Sequence, residues 1–86
     1  MENLDVYRAQ IDEIDKELTK LIEQRLEVVL KVGQYKKEHN LPVYNKERED
    51  EVIIKNSSNL SNKDFSFAIE EIYKSIIEAS KKLEEE

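Results

Sequence analysis

Along the first half of the chain an apolar or aromatic residue recurs at Leu4, Tyr7, Ile11, Ile14, Leu18, Leu21, Val28, Val32 and Tyr35. With Arg25 counted in, the steps alternate between three and four without a break. That is the a/d stripe of a helix that packs against another helix along its length. Arg25, inside "LIEQRLEVVLKVGQYK" (Leu21 to Lys36), keeps the spacing and breaks the chemistry. A guanidinium cannot shed its proton to escape burial, so an anion is expected to meet it.

The stripe predicts a first helix from about residue 4 to about 39. "HNLPVYN" then supplies the stop, because proline disfavours helix in the residue before it. Gly33 falls inside the helical pattern, where it costs about 1 kcal/mol relative to alanine. A tight helix crossing would justify it, as would close approach of a ligand. A second helix is expected over about 45–56, with Asn45 as N-cap of "KEREDEVIIKN". After the polar run "NSSNLSN", Ser61 and Asp64 resemble a capping box opening a third helix over about 62–84. That helix carries Phe65, Ile69, Ile72, Ile76, Ala79 and Leu83 at heptad spacing, and its tail "KKLEEE" is expected to fray. Tyr73, Ile77, Ser80 and Glu84 form a second face beside the main stripe.

Composition agrees with an all-α fold. The 86 residues include one Gly, one Pro and no Cys, and 40% are charged. One domain over 1–86 is the expectation. A helix of about 35 residues is roughly 53 Å long. A compact chain of this size has a radius of gyration of about 12 Å. Two short helices cannot cover so long a stripe and a second copy can, so the reading is an intertwined helical homodimer, three helices per chain.

Charge narrows the partners. The net charge of −6, with lysines interleaved among acids, argues against nucleic acid. An acidic, polar start ("MENLDVYRAQ") and no long apolar run predict no signal peptide and no membrane span. Without cysteine there is no disulfide framework or thiolate zinc site, which fits a cytoplasmic location.

The polar residues that share the buried side are few. Lys36 follows Arg25 by 11 residues on one face, roughly 16 Å along the axis, so the two can hold opposite ends of one small anion. Arg8 lies about 25 Å before Arg25. It reaches such a ligand only from the other chain of an antiparallel pair. Arg48 and Glu49 open the second helix, and Ser80 and Glu84 stand one turn apart on the third. His39, the single histidine, reads as a surface residue favoured by the helix end. Taken singly, Arg25 also fits a register device, and Arg8, Lys36 and Arg48 fit solvated charges.

With "RAQIDEIDKEL" (Arg8 to Leu18), "RLEVVLKVGQYK" (Arg25 to Lys36), "PVYNKERE" (Pro42 to Glu49) and "IIEASKKLE" (Ile76 to Glu84), the chain resembles the all-helical chorismate mutases over nearly its whole length. The resemblance implies conversion of chorismate to prephenate, toward phenylalanine and tyrosine, by a rearrangement within one molecule. Metal, cofactor and nucleophile are not needed. It implies that Arg25 and the partner's Arg8 clamp the two substrate carboxylates, a task suited to the planar fork of arginine. Lys36 would donate to the ether oxygen, which gains negative charge as its bond breaks. Arg48 would add positive potential, Glu49 would accept from the ring hydroxyl, and Ser80 would bond a carboxylate. Arg25 would then be tolerated in the seam because the substrate brings its counter-charge.

Two positions depart from the common pattern. Asn45 stands where many members carry Asp, and Glu84 where many carry Gln. A protonated Glu84 can donate to the ether oxygen and an ionised one cannot. The other reading of Glu84 is a solvated tail residue. Two other functions fit the chain: an isochorismate pyruvate lyase on the same fold, and a helical dimer without catalysis.

Overall fold

The computed structural model describes residues 3–86; residues 1 and 2 of the domain expected over 1–86 lie outside the described residues. Three α-helices follow in order: α1 (Leu4–Glu38), α2 (Lys46–Ser58) and α3 (Ser66–Glu84). A 3₁₀ turn at Lys63–Phe65 precedes α3, and the described residues contain no strand.

Each boundary has a local cause. Asn3 caps α1 by accepting from the Val6 amide. At the other end Asn40 takes a positive φ of 55°. This lets the Leu41 amide reach back to the Lys36 carbonyl (2.8 Å) and the Asn40 amide to that of Lys37 (3.4 Å). That pairing satisfies carbonyls a helix end would otherwise leave open, and asparagine tolerates the left-handed turn it needs. Asn45 caps α2 as expected, accepting from the Arg48 amide at 3.1 Å. The third start differs from the capping box expected at Ser61. Asn62 accepts from the Asp64 amide at 2.9 Å, so a tight Asx turn takes the donor and delays α3 to Ser66.

α3 packs on both α1 and α2. It approaches α1 closely at Gly33, the one buried residue of that helix. A Cβ there would lie 3.0 Å from the Glu84 Cα and 3.2 Å from its carbonyl oxygen, both backbone atoms that cannot swing aside. Gly33 is therefore a crossing residue. Gly33→Val should force the helices apart and lower the melting temperature by on the order of 5–15 °C. Circular dichroism on heating checks this; an unchanged or raised midpoint would contradict the crossing.

The chain on its own buries little. Val52 and Ile77 are its buried hydrophobic residues, and all nine apolar members of the α1 stripe are exposed. The radius of gyration is 16.1 Å and the long axis 58 Å, well beyond a compact chain of this length. On α3, Ile77, Ser80 and Glu84 of the second face are the buried residues. Phe65, Ile72 and Ala79 of the main stripe face outward. The tail does not fray: α3 stays helical to Glu84, whose side chain is buried.

Candidate functional site

The end of α1, the 39–45 connection, the start of α2 and the last turns of α3 enclose an open cavity of about 280 Å³. Val28, Val29, Val32, Val43, Val52 and Ile77 give it apolar walls. Into it project seven of the eight expected site residues: Arg25, Lys36, Asn45, Arg48, Glu49, Ser80 and Glu84.

Lys36 is held from two sides. Its ammonium donates to the Val43 carbonyl at 2.9 Å and to Glu84 Oε1 at 2.6 Å. The first bond ties the connection over the helix end, and the second ties α3 to α1. The side chains of Lys36 and Glu84 keep only 19% and 10% exposure. An ammonium has three protons, so a third donor is left over.

Arg25 donates to Ser80 Oγ at 2.8 Å, and the Ser80 hydroxyl in turn donates to the Ile76 carbonyl at 2.7 Å. Among the described residues no carboxylate pairs with Arg25 within 4.0 Å. The anion expected in the seam is thus not one of the chain's own acids, and most of the guanidinium's five donors stay available.

On α2 the picture is mixed. Asn45 serves as the cap. Arg48 borders the cavity but pairs with Glu51 at 2.7 Å on the exposed side. Glu49 turns inward, and its Oε2 is buried without a hydrogen bond. Lys81 Nζ lies 3.4 Å from that oxygen, near enough for its charge to act. Lys81 also pairs with Glu78 at 2.9 Å and sits 5.1 Å over the Tyr44 ring. Hydrogen bonding to Glu78, and then the charge of Glu49, outweigh desolvation and raise Lys81 above the ordinary lysine value, so it stays cationic.

Lys81 and Tyr44 were not among the expected site residues. A signal existed for Lys81: Ile77, Lys81 and Glu84 step by four and three along one face. Arg8 is exposed on the first turns of α1 and takes no part in the cavity of its own chain. His39 lies outside it too, stacked on Tyr35 with ring centroids 3.9 Å apart.

The cavity lining carries Arg25, Lys36, Arg48 and Lys81 against Glu49 and Glu84, four cations to two anions, in a chain of net charge −6. A local cationic excess with fixed donors and apolar walls suits a small, multiply anionic molecule.

Several curated proteins are similar over part of the chain. The T-protein of Haemophilus influenzae is 49% identical over 49 residues, 57% of this chain and 13% of that protein. The bifunctional chorismate mutase/prephenate dehydratase of Aquifex aeolicus is 38% identical over 55 residues, 64% of this chain and 15% of that protein. The T-protein of Enterobacter agglomerans is 48% identical over 46 residues, 54% of this chain and 12% of that protein. The chain thus spans less than a sixth of the length of each relative. The family described as chorismate mutase type II matches residues 7–85, nearly the whole chain. With that match, and with Arg25, Lys36, Ser80 and Glu84 gathered around one cationic cavity, the chain belongs to the chorismate mutase type II family.

Proposed function

We propose that this domain rearranges chorismate to prephenate in a cavity completed by a second copy of the chain. The observation that carries the reading is the convergence of Arg25, Lys36, Glu49, Ser80 and Glu84, from three helices, on one apolar-walled cavity. In the reaction the ether C–O bond breaks as a C–C bond forms within the same molecule. No proton has to move, so the protein's work is to hold the compact conformer and to stabilise charge on the ether oxygen.

Each residue then has a task. Arg25, already oriented by Ser80, clamps one carboxylate. Lys36, held in place by Glu84 at 2.6 Å, turns its remaining donor to the ether oxygen. Glu49, whose Oε1 is held by no hydrogen bond or ion pair among the described residues, accepts from the ring hydroxyl. Arg48 adds positive potential from the rim. The second carboxylate is met by the partner's Arg8. The exposed α1 stripe supports the dimer: nine large apolar side chains in one row form an association surface.

Loss of chorismate absorbance, with prephenate as product, tests the activity. No loss at any pH sinks it, and isochorismate with release of pyruvate is then the substrate to try. Subunit mixing tests the shared site. Arg8→Ala and Arg25→Ala should each be inactive alone. After exchange of subunits in a 1:1 mixture, half the dimers are mixed, and each mixed dimer has one intact site. Activity should return to about a quarter of the unmodified value. A mixture as inactive as its components would mean that Arg8 does not act across the interface.

A further inference from the structure

We propose that Lys81 is a positioning residue, which holds the Glu49 carboxylate aimed at a hydroxyl group of the substrate; this rests on the chorismate reading above. Lys81 shares with Lys36 a burial that the other ion-paired lysines lack. Lys16, Lys20 and Lys46 make ion pairs with side chains about 70% exposed, whereas that of Lys81 is 19% exposed. It is gripped by three segments at once: Tyr44 from the connection, Glu49 from α2 and Glu78 from α3 itself.

Glu49 is the group that gains. A carboxylate in a cavity that takes up a dianion repels that dianion, protonates or swings away. Lys81 offsets the charge without occupying the acceptor. At 3.4 Å it is an ion-pair partner of the buried Glu49 Oε2. The other oxygen, Oε1, is held by no hydrogen bond or ion pair among the described residues, so its lone pairs stay open for a hydroxyl donor. Glu78, at 2.9 Å, anchors the ammonium from the surface side, and the Tyr44 face steadies it. With Glu78 and Glu49 already engaging it, Lys81 acts on the substrate through Glu49.

A double-mutant cycle on chorismate turnover tests this, using the full chain. Lys81→Met should lower kcat/KM by on the order of 10-fold, mainly through KM. Lys81→Arg should keep the activity within about 3-fold of the unmodified chain, because the charge remains in reach of Glu49. In the Glu49→Gln background, Lys81→Met should cost nothing further, since no charge remains to be held. Lys81→Gln replaces the methionine variant if that chain does not fold. A full-sized loss in the Glu49→Gln background would overturn the proposal, because Lys81 would then act on the substrate or the scaffold directly. So would unchanged kinetics in Lys81→Met. Absence of turnover by the unmodified chain is a separate outcome, which removes the chorismate reading and the proposal with it.

Discussion

Arg25→Leu should lower kcat/KM by about 10³-fold or more and at the same time make the protein more heat-stable. The two effects have separate causes. Activity falls because a rigid cationic fork for a substrate carboxylate is lost; one fixed donor is worth about 10²–10³-fold, and a charged pair more. Stability rises because leucine completes the α1 stripe at the position where arginine interrupts it. Removing half of a buried ion pair usually destabilises, since the other charge stays behind. That penalty is absent here. The partner of Arg25 is a neutral hydroxyl, and Ser80 keeps its own bond to the Ile76 carbonyl at 2.7 Å. An increase of about 1–2 kcal/mol, on the order of 5–10 °C in melting temperature, is the expected scale without substrate. Calorimetry beside the chorismate assay reads both. An inactive and less stable variant would show that Arg25 supports the fold by itself, and that the seam was shaped around it.

This residue also marks what the sequence discloses. The unbroken step of three and four was enough to place α1, and Arg25 stood out because one charged group interrupts nine apolar ones. Asn45 and Gly33 were readable for similar reasons: each is a residue type with a narrow local use, one as a cap and one as a close crossing. The start of α3 was less readable, because Ser61 and Asn62 are both capable caps and only the turn geometry chooses between them. The faces of α3 posed a different difficulty. Two rows at heptad spacing lie side by side, and periodicity does not say which row meets the chain's own helices. The row ending in Ser80 and Glu84 does so, and the row with Phe65 and Ile72 is left outward. Lys81 is hard to single out from the sequence because its reach depends on a four-carbon stem and on the placement of Tyr44 and Glu49, which belong to other segments. Glu84 admits two readings in the sequence, a site residue and a solvated tail residue, and its side chain is buried. What holds it is Gly33 and Lys36, 51 and 48 positions earlier in the chain.

Lys36 and Glu84 carry the other large expected effect. Lys36→Met should reduce kcat by about 10³-fold, because the donor that meets developing charge on the ether oxygen is gone. It should also destabilise the protein, since Glu84 would remain buried without the ammonium now 2.6 Å away. Glu84→Gln should behave differently. Glutamine still accepts from Lys36 through its carbonyl oxygen and donates through its amide at every pH. The carboxylate of the Lys36–Glu84 ion pair can only accept, whereas the amide also offers a donor to the ether oxygen and meets the substrate's two carboxylates without repulsion. Glu84→Gln should therefore keep kcat and raise kcat/KM by on the order of 10-fold. Turnover of both proteins, with kcat and KM separated, decides the matter. A fall in kcat of Glu84→Gln would mean that the carboxylate itself is needed beside Lys36. The 2.6 Å contact would then serve only to hold Lys36 in place, with Lys36 as the donor at that atom.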